Sequence, residues 1–121
     1  MIKTYTKGAN AERELANIFK QRGFVVIRAA GSGGSISTPD LVVIKKGLIL
    51  AFEIKSWSRK PSLKNEEMLD FKEWCEVAGC LGFFVWRRKG GDWVFLDIKK
   101  YNGGVMNGGL GLEDLFFNIN F

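Results

Sequence analysis

Pro39-Asp40 opens one apolar segment, and thirteen residues further on Glu53-Ile54-Lys55 closes the next. Side chains alternate along a strand, so Glu53 and Lys55 share a face about 7 Å apart, while Ile54 turns into the core and leaves its carbonyl beside them. The Lys45-Lys46-Gly47 connection joins residues 41–44 to 48–55 as a hairpin, which sets Asp40 beside Glu53. Two acids and a lysine then converge on one spot. Hard divalent cations take oxygen ligands of this type, and Mg²⁺ is commonly held by one or two carboxylates plus water and substrate phosphate. A lysine there would position or deprotonate an attacking water, or neutralise charge building on phosphorus. A plain surface ion pair across the hairpin is the alternative. Against it, Glu53 stands in the otherwise apolar run 48–54, where an acid is costly without a partner or a metal. Glu12 is a third acid: it lies about 100° round a helix from Ala11, at the border of that helix's apolar stripe, while Arg13 and Glu14 project toward solvent or a partner.

Other chemistries are excluded by composition. The chain of 121 residues contains no histidine, which removes Ser-His-Asp and Cys-His catalysis, His-ligated zinc and any His general base. Cys75 and Cys80 are the only cysteines, too few for a zinc site without histidine, and they read as buried thiols. The net charge of +5 is uneven: residues 1–60 hold eleven basic and four acidic side chains, residues 61–121 seven and nine. A basic half suggests a polyanionic partner such as nucleic acid. No apolar run approaches the roughly 18 residues of a membrane span, and the opening residues lack a signal peptide's apolar core. A cytoplasmic protein with no membrane partner and no small-molecule cofactor is expected.

The elements that must carry these residues follow from periodicity. Residues 8–22 form an amphipathic helix with Ala11, Leu15, Ile18 and Phe19 on one face, stopped by Gly23. Residues 24–29 are a strand, and Gly31-Ser32-Gly33-Gly34 begins a flexible loop up to Pro39. After the hairpin, Asn65 caps a helix to about Ala78 with Met68, Leu69, Phe71 and Cys75 facing inward. Strands at 81–87 and 93–98 flank an Arg88-Lys89-Gly90-Gly91 turn. Residues 103–111, with five glycines in nine, read as a flexible loop and lack the ending of a phosphate-binding loop. Residues 112–121 form a short helix packed on the core or on a second subunit. The order is that of an α/β chain with a mixed β-sheet flanked by helices, in one domain spanning 1–121.

Asp40, Glu53, Ile54 and Lys55 resemble the PD-(D/E)xK nuclease core. Tyr5-Thr6-Lys7-Gly8, then Ala11-Glu12-Arg13-Glu14-Leu15, then the run Gly23-Phe24-Val25-Val26-Ile27-Arg28-Ala29-Ala30-Gly31-Ser32-Gly33-Gly34 closely resemble the opening of archaeal-type Holliday junction resolvases. That resemblance spans about residues 5–100 and implies a restriction-endonuclease-like fold. It further implies a Mg²⁺-dependent endonuclease, with Mn²⁺ able to substitute, that resolves four-way DNA junctions by paired phosphodiester hydrolysis as a homodimer. Glu12, Asp40 and Glu53 would be metal-linked acids, with Ile54 adding its carbonyl, and Lys55 the catalytic lysine. Ser32 matches a mobile-loop serine near the scissile strand. Lys7, Arg13, Arg28, Ser32 and Lys60 would meet DNA, with Lys3, Lys45, Lys46 and Arg59 on the same face; Arg28 shares a strand face with Phe24 and Val26 and so is expected to have an assigned anionic partner. Three places depart from the pattern: the inserted Ile36-Ser37-Thr38, Trp74-Cys75 on the second helix, and the glycine-rich tail. A related nuclease cutting flaps, forks or duplex DNA is the alternative, followed by a non-catalytic DNA-binding protein.

Overall fold

The computed structural model describes residues 2–29 and 38–119, with side chains from Asn10 onward. The expected mixed sheet is present, with five strands lying side by side in chain order: β1 (Val25–Arg28), β2 (Leu41–Lys45), β3 (Leu48–Lys55), β4 (Leu81–Arg87) and β5 (Trp93–Asp97). Neighbours run antiparallel except β3 and β4, which are parallel. A parallel pair needs a crossover. Helix α2 (Asn65–Ala78) supplies it, running back over the sheet so that its first turn lies at the end where β3 finishes.

Apolar residues on both faces of the central strands build two cores. On one side Ala11, Leu15 and Phe19 of α1 (Ile2–Gln21) and Leu115 and Phe116 of α3 (Leu112–Ile119) meet Leu50, Phe52 and Ile54. Phe19 is the hub, with ring centroids 5.0 Å from Phe24, 5.2 Å from Phe52 and 5.0 Å from Phe116. On the other side Met68, Phe71 and Cys75 of α2 meet Ala51, Phe84 and Leu96. Phe117 of α3 stays 84% exposed. Among the described residues no helix is long and apolar enough to cross a membrane.

Several boundaries differ from expectation, each for a local reason. Helix α1 begins at Ile2 and not at residue 8, because Gly8 is carried inside the helix, where it costs only about 1 kcal/mol relative to alanine. Phe24 lies outside β1: its N–H donates to the Phe19 carbonyl at 3.1 Å and its ring packs on α1. Ile98 lies outside β5, because the Asp97 side chain accepts from the Lys99 N–H at 3.0 Å and starts a 3-10 turn at Ile98–Lys100. Leu69 does not face inward but is 53% exposed; Met68, Phe71 and Cys75 already fill the buried face at spacings of three and four.

The glycine-rich tail is also not a free loop. Met106 is buried and its N–H donates to the Pro61 carbonyl at 2.8 Å, while Phe95 and Leu110 exchange two backbone hydrogen bonds of 2.7 Å. Tyr101 OH accepts from the Leu63 N–H at 2.9 Å and donates to the Gly104 carbonyl. Glycine is required at 109, where φ is +121° and a Cβ would lie 3.0 Å from the Phe95 carbonyl oxygen. The tail is a strap laid along β5.

Candidate active site

The hairpin brings the expected residues together. The register of β2 on β3 ends at Leu41 opposite Phe52, so Asp40, one step beyond, faces Glu53. Asp40 Oδ2 accepts from the Ile54 N–H at 2.8 Å, which fixes its carboxyl on the end of β3. Glu53 and Lys55 lie on the α2 face of the sheet while Ile54 is buried in the α1 core, as alternation requires. Ile54 thus meets the site through its N–H; nothing among the described contacts involves its carbonyl there. From the α1 side, half-buried Glu12 comes near enough for the Asp40 charge to act on it, and Arg28 Nη2 lies 3.7 Å from Glu12 Oε1.

This crowding marks the electrostatics. Burial, then the Asp40 and Glu67 charges, push the Glu53 carboxyl up to about 8 against the opposing pull of Lys55. Burial and then Asp40 push Glu12 up to about 7, opposed by Arg28 and Arg13. Burial raises Asp40 as well, opposed by the Ile54 N–H and by Lys55. Neighbouring carboxyls raised together in this way make the place a candidate functional site. The acids open on a pocket of about 250 Å³ lined by Asp40, Glu53, Glu66, Glu67 and Asp70. A larger cavity of about 570 Å³, against Gly47, Cys75 and Cys80, lies at the opposite end of β3 and touches none of them.

The basic residues divide. Arg13 is exposed and donates to Asn10 Oδ1 at 2.8 Å, and Lys60 is exposed on the segment joining β3 to α2. Lys7 lies in α1 with its side chain outside the described residues, as does Lys3, and Ser32 lies outside them altogether. Lys45 and Lys46 do not line the face of the acids. They sit at the far end of the hairpin, where Lys45 Nζ donates to the Arg22 carbonyl at 2.7 Å; eight strand residues, about 25 Å, separate them from Lys55.

Two contacts escaped the sequence. Glu14 stays exposed as expected, but its carboxylate also takes Arg87 of β4 at 2.8 and 3.1 Å, tying α1 to the sheet. Glu67, in the first turn of α2, lies 3.5 Å from Lys55 Nζ. The available signal was an acid at the third position of a helix that follows the Glu53-Ile54-Lys55 strand; using it required knowing that β3 and β4 are parallel.

Known proteins are similar to this chain. The chain is 41% identical over 66 residues to crossover junction endodeoxyribonuclease Hjc of Methanocaldococcus jannaschii, an alignment covering 54% of this chain and 47% of that protein. The Hjc of Sulfolobus acidocaldarius is 35% identical over 78 residues, with 61% of this chain and 54% of that protein covered. The chain thus spans about half the length of these relatives. Crossover junction endodeoxyribonuclease Hje of Saccharolobus islandicus is 30% identical over 116 residues, covering 90% of this chain and 86% of that protein. The solved structure of Archaeoglobus fulgidus Hjc, described as a Holliday junction resolvase, superposes with a TM-score of 0.78 at 21% identity, over 89% of this chain and 98% of that one; at this identity the likeness is one of fold. The model of the archaeal Holliday junction resolvase family (Hjc) matches residues 3–116, a stretch that takes in both helices beside the cleft, the hairpin between them and all four of Glu12, Asp40, Glu53 and Lys55, so the chain belongs to that family.

Proposed function

We propose that this protein is a Mg²⁺-dependent endonuclease that cuts four-way DNA junctions, with Asp40, Glu53 and Lys55 as its central residues and Glu12 completing the acid set. The observation that carries the reading is the meeting of Asp40 and Glu53 at the end of the hairpin, both with raised carboxyls and both on one pocket. Two carboxylates forced together against their own repulsion favour a cation between them, and oxygen donors suit a hard one. Among the described residues no group of three acidic or thiol side chains forms a ready cage. Mg²⁺ suits the Asp40–Glu53 pair, since it keeps water and takes substrate phosphate in its remaining positions. Asp40 and Glu53 would hold it, with Glu12 and the Ile54 carbonyl as outer partners. When bound, the ion supplies an activated water and charge stabilisation at phosphorus.

The chain's own groups do the rest. The Ile54 N–H orients Asp40, Arg28 orients Glu12, and the Lys55 ammonium holds the attacking water or the developing phosphorane charge. Arg13, Arg28, Lys60, Lys7 and Ser32 contact the DNA, largely through phosphates and so with little base preference. A four-way junction has two-fold symmetry, and a homodimer presents two copies of the site to it. Cleavage assays on junction, flap, fork and linear duplex test this directly: paired nicks on the junction are expected, and equal cutting of linear duplex would favour a general nuclease. Asp40→Asn and Glu53→Gln should each lower the Mg²⁺-dependent rate by at least about 100-fold while leaving junction affinity near that of the unaltered protein. Unchanged cleavage by either would remove the site assignment.

A further inference from the structure

Among the described residues the ion pair that Lys55 makes is with Glu67, not with Asp40 or Glu53. Lysine carries its charge on a flexible four-carbon stem, so an ammonium that must stand at one point needs something to hold it there. Glu67 is built for that. Its Oε1 accepts from the Lys64 N–H at 2.9 Å, which locks the carboxylate onto the first turn of α2, and its Oε2 lies 3.5 Å from Lys55 Nζ. The carboxylate also lines the same pocket as Asp40 and Glu53, and its charge reaches both. With one oxygen on the backbone and the other on the lysine, it is engaged on both sides. We infer that Glu67 is a positioning residue of the nuclease site: from the crossover helix it holds the Lys55 ammonium beside Asp40 and Glu53, so that the start of α2 sets the lysine's place. This rests on the role given to Lys55 above.

The test compares Glu67→Ala, Glu67→Gln, Lys55→Ala and the double variant Lys55→Ala/Glu67→Ala of the full chain. Single-turnover cleavage of a four-way junction with Mg²⁺ is measured beside junction affinity. A displaced lysine should slow the E67A rate by about 10- to 100-fold. Affinity should stay within about twofold, since one contact at the reacting phosphate is a small share of the many phosphate contacts that dominate binding. E67Q keeps a single accepting oxygen, for Lys55 or for the Lys64 N–H but not for both, so it should recover at most part of the rate. In the Lys55→Ala background, Glu67→Ala should cost nothing further, because the two act through one contact. An equal loss in both backgrounds, or E67A cutting at the unaltered rate, would overturn the inference. A crystal structure of E67A gives a readout free of activity: Lys55 displaced supports the inference, and Lys55 in its original place overturns it. If the unaltered protein cuts no DNA, the functional reading falls, and that structure still decides whether Glu67 holds the lysine.

Discussion

Glu53 has Asp40 and Glu67 as like-charged neighbours, Lys55 as its one opposing charge, and burial against all ionisation. Its carboxyl therefore stands at about 8 where an ordinary glutamate has 4.5. Between those values the folded chain binds the proton more tightly than the unfolded one, so stability falls as pH rises and the full cost is present above about pH 8. Glu53→Gln removes the ionisation at nearly constant shape. In chelator-treated protein it should raise Tm by several degrees at pH 8.5, where roughly 1 kcal/mol corresponds to about 4 °C. The gain should shrink toward nothing at pH 5; a Tm equal to or below that of the unaltered protein at pH 8.5 would refute the crowded-acid picture. The same residue that weakens the empty fold is the one whose loss should end cleavage, an exchange familiar at active sites. This part of the site is legible in the sequence because alternation and a short turn settle where Asp40, Glu53 and Lys55 go. Glu67 is not, since nothing local in residues 56–64 says which way the following helix runs.

Helix α2 reaches the sheet through a close approach at Gly82 of β4, where a Cβ would overlap the Cys75 sulfur and lie 3.1 Å from Ile98 Cγ2. The helix is thereby seated between its two ends, with Cys75 against the strand and Glu67 at the cleft. Gly82→Ala should cost about 1–3 kcal/mol in urea unfolding, the usual penalty of overpacking. Cys75→Ala makes room, so the double variant should be less destabilised than the sum of the two single changes. Strict additivity would mean that the sulfur is not what excludes the methyl. Cys75 itself is an inert thiol, pushed up to about 12 mainly by burial. At this scale β3 and β4 are readable to the residue from hydrophobic period and flanking turns, and α2 to within one residue, since its cap is Lys64 and the expected cap Asn65 is already helical. The start of α1 and the tail are not. Gly8 looks like a boundary but is carried by the helix, and glycines 103–111 look like slack but are held by Pro61, Phe95 and Tyr101 through contacts distant in sequence.

Over the whole molecule, the basic excess lies in the first sixty residues, which also carry Glu12, Asp40, Glu53 and Lys55, while the more acidic second half supplies α2, β4, β5 and the strap. Folding separates even the basic residues into those that share an end with Asp40 and those that do not. Arg28, at the end of β1 where β2 begins, pairs with Glu12 within reach of the Asp40 charge; Lys45, at the hairpin's other end, is tied to the end of α1. Net charge treats the two alike, and geometry does not. Binding to phosphates releases counterions, so log affinity should fall linearly with log salt, losing on the order of 10³ between 50 and 200 mM if six or more phosphates are met. Arg28→Ala should flatten that slope by about one, the mark of a lost phosphate contact. Lys45→Ala removes the same charge from the far end and should leave the slope unchanged. Equal effects of the two variants would mean that the protein attracts DNA by its overall charge, and that the junction does not sit across the cleft.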